Sequence, residues 1–190
     1  MAYMLFGWFG HVIKESRADM YSEQMDRSFR WGMSWFIFSE VMFFAAFFGA
    51  MFYARFLVVP WLAGEGAGEM THELLWPNFE AAWPLMVNPS PELFPGPSAI
   101  IDPWHLPLLN TILLVASSVT VTIAHHALKE GKRTALTVWL AATIILGLVF
   151  LFFQAEEYVE AYRDLDLTLQ SGIYGTTFFL LTGIHGAHVT

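Results

Sequence analysis

The feature that most constrains this chain is an apolar run from Trp31 to Ala54 that contains a single charged residue, Glu40. At about 1.5 Å of rise per residue, a helix over this run is long enough to cross a bilayer, and Glu40 falls near mid-depth. A carboxylate at that depth costs about 2.5–3.5 kcal/mol on insertion scales, so such an acid commonly has a function or a partner. The run therefore predicts a membrane-spanning helix with an acid that has either a function or a partner.

The composition extends this prediction to the whole chain. Hydrophobic residues make up 56% of it and charged residues 14%, whereas a soluble domain has about 25% charged residues. We predict an all-α, polytopic transmembrane helix bundle that forms one domain over residues 1–190. Its predicted parts are the end of a helix at 1–13, spans at 31–58, 107–128, 134–158 and 172–190, and a long loop at 59–106.

The two ends of the chain suggest a piece of a larger protein. Residues 1–13 are too few to cross a bilayer, and the last span reaches the end of the chain without a flanking polar segment. We expect an internal fragment of a larger polytopic protein. A short interfacial helix followed by a complete four-span protein is the alternative.

Several function classes are disfavoured. The net charge of −8 comes without a basic patch that could neutralise phosphates, which argues against nucleic-acid binding. The absence of cysteine excludes disulfides, thiolate metal sites and a cysteine nucleophile. No phosphate-binding loop, nucleophile–base pair or zinc-protease signature is found, so we predict no catalytic residue and no metal site in this chain.

Lysine and arginine positions predict the orientation. Basic residues concentrate in segments 14–30 and 129–133, whereas the long loop 59–106 contains none. The first two spans separate the basic segments, which therefore lie on one face, and the positive-inside rule makes that face cytoplasmic. Loops 59–106 and 159–170 then face outward.

Three polar residues lie near the ends of the second span. Asn110 is interpreted as a packing residue that hydrogen-bonds a neighbouring helix. His125 and His126 are adjacent, so their side chains point about 100° apart on a helix and are poorly placed to bind one ion. Because they lie beside the basic 129–133 segment, we favour contact with lipid headgroups or a neighbouring loop over metal ligation.

The last two spans contain further polar residues. Glu156 and Glu160 share a helix face beside Glu157, and acids near a helix C-terminus oppose the helix dipole, which suggests a partner. His185 and His188 share a face at a spacing that a metal or haem site could use, but the small residues around them favour close helix packing. We interpret Glu157, His185 and His188 as polar packing residues.

Five stretches together resemble subunit III of the haem–copper (aa3-type) cytochrome c oxidases of bacteria. Their order and spacing fit the family along almost the whole chain. They are FRWGM leading into SEVMFF (29–44), PLLNT (107–111), AHHAL (124–128), QAEEYVEA (154–161), and GIYGTTFF through TGIHGAHV (172–189).

The resemblance implies a seven-helix fold of which this chain holds the middle. Residues 1–13 then correspond to the end of the second helix, the next three spans to helices three to five, and 172–190 to the start of the sixth. Ser171 stands where the family has an aspartate, so a polar contact made by that acid does not transfer. The proline-rich outer loop is longer than in compact mitochondrial members.

The resemblance also implies a function. Subunit III carries no haem or copper, which in this family belong to partner subunits as haem a and copper. It packs on catalytic subunit I in a complex with subunit II, holds structural phospholipid, and supports proton uptake and turnover stability. The complex oxidises cytochrome c, reduces oxygen to water and pumps protons. The implied location is a bacterial inner membrane, with this chain embedded in several passes.

By resemblance, Glu40 is the buried, carbodiimide-reactive carboxylate of the family. We expect it to carry its proton, because removal from water disfavours the charged form of an acid; a hydrogen bond to a neighbouring helix is the alternative role. Lys14, Arg30, His125 and His126 are candidate phospholipid contacts, since cationic and imidazole donors suit headgroup phosphate.

Alternative functions remain open from the sequence. A quinol oxidase or a related respiratory complex could use an equivalent subunit with another electron donor. A dihaem cytochrome or a transporter that uses Glu40 and the histidines is a more distant alternative.

Overall fold

The computed structural model describes residues 2–189, and the regular elements in this range are all helical. Three helical stretches are long and apolar enough to cross a membrane: Glu23–Leu62, Leu106–Lys129 and Arg133–Arg163. The predicted all-α, multi-pass class is thereby confirmed. The chain divides into two compact units, residues 1–50 and 51–190, which are described separately. The prediction of a single domain stays a prediction.

The first unit contains helix α1 (Ala2–Arg17) and most of helix α2 (Glu23–Tyr53). Helix α2 begins at Glu23 rather than at Trp31, where the apolar run starts. The Ser22 hydroxyl accepts a hydrogen bond from the Met25 amide (3.3 Å), and Glu23 pairs with Arg27 at 3.8 Å. Such caps and charge pairs stabilise a polar first turn, so the helix extends beyond the apolar segment.

The second unit begins with the end of α2 and contains the remaining elements. A π-helical turn (Ala54–Val58) leads into α3 (Val59–Leu62), and a 3₁₀ turn (Gly66–Gly68) leads into α4 (Glu69–Leu75). The three longer helices are α5 (Leu106–Lys129), α6 (Arg133–Arg163) and α7 (Ile173–Val189). The predicted span 172–190 thus corresponds to α7, of which 17 residues are described.

Helices α5 and α6 form an antiparallel hairpin. Gly131, with φ of +71°, occupies the left-handed conformation needed in the short turn between them. Midway along the pair, the Thr120 and Thr143 hydroxyls are 2.7 Å apart. Helix α6 continues to Arg163, so the first part of the predicted 159–170 loop is helical. Helix α7 packs on α6 through a 2.5 Å hydrogen bond between the Tyr158 and Thr182 hydroxyls.

The segment 76–105 is irregular, as its prolines predict, because a helix interior does not accommodate them. It is nevertheless anchored. The Ser98 amide donates to the Leu165 carbonyl (2.9 Å), and the buried Asn88 amide donates to the carbonyls of Phe94 (2.8 Å) and Ser171 (3.4 Å). These bonds hold the segment against the α6–α7 connection.

Candidate functional site

A cavity of about 180 Å³ lies where α5 begins and α6 ends, and we call it the acidic cavity. The segment before α5 contributes one wall, and the last turns of α6 contribute another. Its lining contains three acids, one imidazole and five apolar side chains: Asp102, Glu157, Glu160, His105, Ile100, Ile101, Leu106, Pro107 and Leu165. The cavity is therefore mixed in character, with an excess of negative charge.

Glu157 is the buried acid of this cavity. Only 7% of its surface is exposed, and Glu160, an acid on the same helix, repels its charged form. Burial follows from the neighbouring core, in which Ala161, Leu167 and Phe179 pack together. On the opposite wall, His105 Nε2 lies 3.2 Å from Asp102 Oδ2. The sequence singled out Glu157, but it gave no sign that Asp102 and His105 would lie beside it.

Asn110 is a second buried polar residue near this end of the hairpin. It is 4% exposed, and neither its amide nitrogen nor its amide oxygen has a hydrogen-bond partner within residues 2–189. The register set by Thr120 and Thr143 puts Asn110 about one helical turn, or ~6 Å, deeper than Glu157. Its burial suits a packing residue, while the predicted bond to a neighbouring helix stays a prediction.

The predicted site residues of the first unit lie on its two helices. Glu40 is half-buried on α2, in a stretch rich in phenylalanine. Lys14 is exposed in the last turn of α1. Arg30 is exposed on α2 and forms an ion pair with Asp26 one turn earlier. The structure thus leaves both cations accessible to an anionic group, and the roles proposed for all three residues stay predictions.

The connection between α1 and α2 contains a feature that the sequence did not reveal. The Tyr21 hydroxyl donates a hydrogen bond to Glu15 Oε2 at 2.6 Å. This bond to a negative acceptor, aided by partial burial, raises the pKa of Tyr21 to about 12. The pair closes the turn in which Asp19 has a positive φ of 51°.

The predicted histidines of the second unit lie on two different helices. His125 and His126 are exposed in the last turns of α5, with ring centroids 6.3 Å apart. His185 is half-buried and His188 is exposed on α7. Across the described part of the chain, no group of three or more histidine, aspartate or glutamate side chains is arranged to hold a metal ion.

The turn after His125 and His126 is also charged. Lys132 Nζ lies 2.7 Å from Glu130 Oε2, and this pair lowers the pKa of Glu130 and raises that of Lys132. The two ends of the α5–α6 hairpin therefore differ in electrostatic character. One end carries the acidic cavity, and the other carries imidazoles and lysines that suit an anionic headgroup.

Comparison with known proteins gives one consistent result. The sequence profile of the family "Cytochrome c oxidase subunit III" matches residues 1–65 and 71–190. A cytochrome c oxidase subunit 3 of Polypterus ornatipinnis is 39% identical over 190 residues, covering 100% of this chain and 61% of the relative. Those of Prototheca wickerhamii and Pongo pygmaeus are each 37% identical, with 98% and 99% of this chain covered. The chain spans about three fifths of the length of these curated relatives.

Proposed function

Because the chain belongs to the cytochrome c oxidase subunit III family, we propose that it is part of an accessory subunit of a membrane-bound oxidase. The complex would oxidise cytochrome c, reduce oxygen to water and pump protons. The observation that carries this proposal is the family match along nearly the whole chain. The membrane location has its own support, since three helical stretches have the length and apolarity of spans.

Within such a complex, this chain would have a supporting role. Haem a and copper would be held by partner subunits, with subunit I as the packing partner and subunit II beside it. The helices carry many exposed apolar side chains, such as Trp35, Ile37 and Phe52. Surfaces of this kind suit both lipid and the apolar flank of another membrane subunit. We place the complex in a bacterial inner membrane.

The experiment that tests this function is purification from native membranes through a tag on the chain. The purified material is examined by optical spectroscopy and by oxygen uptake with reduced cytochrome c. Haem a bands with cytochrome c-driven uptake are the expected result. A b-type spectrum with a requirement for quinol would move the chain to a quinol oxidase or related complex. A colourless protein without oxygen uptake would contradict the proposal.

We further propose that structural phospholipid binds at the end of the α5–α6 hairpin that carries His125 and His126. Their exposure in the last turns of α5, beside Lys129 and Lys132, supports contact with phosphate. The double change of both histidines to alanine should lower the phospholipid retained by the purified complex. Changing the exposed Thr122 of the same helix to alanine is the control, since its hydroxyl bonds the carbonyl of Ser118 within α5. Equal retention in all three proteins would contradict the assignment.

Lys14 and Arg30 extend this proposal to the first unit. Both are exposed, and both would lie on the cytoplasmic face under the predicted orientation. Arg30 already pairs with Asp26, so a headgroup phosphate would compete with that exposed carboxylate. Changing Lys14 to glutamine should therefore reduce lipid retention more than the same change at Arg30.

Glu40 is proposed to influence proton uptake from a mid-membrane position. Its half-buried place on α2, within an apolar run, supports an acid that carries its proton and reacts with carbodiimide. Glu40→Gln should assemble normally but lose carbodiimide labelling and sustain fewer turnovers. Glu23→Gln is the control, because Glu23 is exposed at the start of the same helix. Loss of all assembled complex in Glu40→Gln would instead show a structural role.

A further inference from the structure

The lining of the acidic cavity contains more acidic than basic side chains. Its lining includes the carboxylates of Asp102, Glu157 and Glu160 but neither lysine nor arginine. The imidazole of the lining, His105, pairs with Asp102 of its own segment, with Nε2 3.2 Å from Oδ2. Two acids of α6 are therefore left without a cationic neighbour in the lining of the cavity.

Glu157 is the residue that points to a ligand. It is more than nine-tenths buried, and it lines the cavity. In residues 2–189, no donor forms a hydrogen bond with its carboxyl group, and its electrostatic neighbours are the acid Glu160 and the phenols Tyr158 and Tyr174. The carboxyl oxygens of Glu157 keep some accessible surface, since they are not among the fully buried atoms that lack a hydrogen-bond partner. A carboxyl group in such a place is normally satisfied by a partner, a water or a bound cation.

The chemistry of the lining selects among cations. A metal ion is disfavoured, since no described cluster has three suitable ligands. A quaternary ammonium is disfavoured too, because such groups are held over aromatic faces and the lining contains no tryptophan, tyrosine or phenylalanine. A primary ammonium has three N–H donors on one compact charge, which match carboxylates at Glu157 and Glu160.

Size and place agree with a small amine. A cavity of about 180 Å³ has room for an aminoethyl group together with waters of about 30 Å³ each. The aliphatic side chains of Ile100, Ile101 and Leu165 could cover the methylene carbons of that group. The cavity lies at one end of two helices with the length of membrane spans, which is where lipid headgroups are found.

We propose that the acidic cavity binds a primary ammonium group, supplied by an aminophospholipid headgroup or by a soluble amine. The ammonium lies between Glu157 and Glu160, and its N–H groups donate to both carboxylates. This site is separate from the basic end of the hairpin and has the opposite selectivity, for a cation rather than for a phosphate. It does not depend on membership of an oxidase complex.

The test compares headgroups on the chain purified from membranes in its native assembly. The protein is placed in nanodiscs that contain equal amounts of phosphatidylethanolamine and phosphatidylcholine with identical acyl chains, and retained lipid is counted by native mass spectrometry. Phosphatidylethanolamine should be retained in preference. Glu157→Gln should reduce that preference about tenfold, since a charged acceptor is lost. Glu156→Gln, an exposed neutralisation on the same helix, should leave it unchanged.

Further arms keep the proposal falsifiable. Glu160→Gln changes an exposed side chain, so it should fold even if Glu157→Gln does not, and it should also weaken the preference. Displacement of phosphatidylethanolamine by free ethanolamine would confirm the ammonium site. Binding of ethanolamine without any lipid preference would assign the site to a soluble amine. Equal retention of both lipids with no effect of ethanolamine would overturn the proposal. A carbodiimide cross-link from Glu160 to a lysine of another subunit would also overturn it.

Discussion

Gly172 is a residue at which backbone and side-chain constraints coincide. Its φ of +86° lies in the left-handed region, and a Cβ added there would collide with Oδ1 of Asn88. Asn88 cannot easily withdraw, since it is 5% exposed and its amide nitrogen donates to the carbonyls of Phe94 and Ser171. The turn before α7 and the 76–105 segment therefore approach each other so closely at Gly172 and Asn88 that a side chain at position 172 has no room.

This contact predicts a large effect of Gly172→Ala on stability. The left-handed backbone alone costs a non-glycine residue about 1–2 kcal/mol, and displacement of Asn88 breaks buried hydrogen bonds worth about 0.5–1.5 kcal/mol each. Gly131→Ala is the matched control, because its φ is +71° but nothing lies within 4 Å of the added Cβ. Thermal unfolding in detergent should show the larger loss for Gly172→Ala. Equal losses would show that Asn88 adjusts freely.

Tyr21 predicts a pH dependence at high pH. The pKa of Tyr21 in the folded protein, about 12, exceeds the ordinary value of 10.0, because the neutral hydroxyl donates a hydrogen bond to the Glu15 carboxylate. A raised pKa of this kind means that the bond stabilises the folded state below about pH 10 and that this contribution is lost as the pH rises through about 12. The difference in phenolate absorbance between the unchanged protein and Tyr21→Phe reports on Tyr21 alone. As the pH is raised, this difference should reach half of its full value near pH 12. Glu15→Gln should shift that midpoint towards 10.

At the level of helices, hydropathy predicted the apolar centres but not the ends. Helix α2 begins at Glu23 and α6 ends at Arg163, both outside the apolar runs. Lipid requires only the apolar segment to be helical, and at the start of α2 a serine cap and charge pairs stabilise additional polar turns. Residues 14–17 were likewise predicted to belong to a basic segment outside the helices, because they are polar, but they form the last turn of α1.

The α5–α6 hairpin makes a prediction about helix association. The hydroxyls of Thr120 and Thr143 are 2.7 Å apart, so one donates to the other, and the accepting hydroxyl can donate to a carbonyl of its own helix. Interhelical hydrogen bonds of this kind average about 0.6 kcal/mol in membrane proteins, with values up to about 1.7. A double-mutant cycle of Thr120→Val and Thr143→Val should give a coupling energy in this range by unfolding in detergent. Thr122→Val, on an exposed position, should show no coupling with Thr143→Val.

For the whole molecule, the all-helical class followed from composition, because long apolar runs in a chain with few charges have few other stable forms in lipid. The acidic cavity could not be predicted in the same way. Its walls come from residues 100–107 and from the end of α6, which are far apart in sequence and are joined by the bond from Ser98 to Leu165. Glu157 was visible as an acid at a helix end, but its burial depends on that long-range packing.

The orientation of the helices is the last prediction at this scale. Segment 76–105 contains acids without lysine or arginine, while the turn between α5 and α6 is basic, so the two should lie on opposite sides of the membrane. Residues 1–190 contain no cysteine, so a cysteine introduced at Glu92 or at Lys132 is the single thiol in this part of the protein. Both positions are exposed. Of the predicted spans, α5 is the one that lies between them in the sequence.

An impermeant maleimide added to intact spheroplasts should label Glu92→Cys and should label Lys132→Cys only after the membrane is opened. Labelling of both variants in detergent controls for accessibility. If both were labelled from outside, α5 would not cross the membrane. If only Lys132→Cys were labelled from outside, α5 would cross in the opposite sense and the positive-inside assignment would be wrong. The measurement thus tests two properties separately. Whether α5 crosses the membrane depends on its length and apolarity, and the direction in which it crosses depends on the distribution of lysine and arginine.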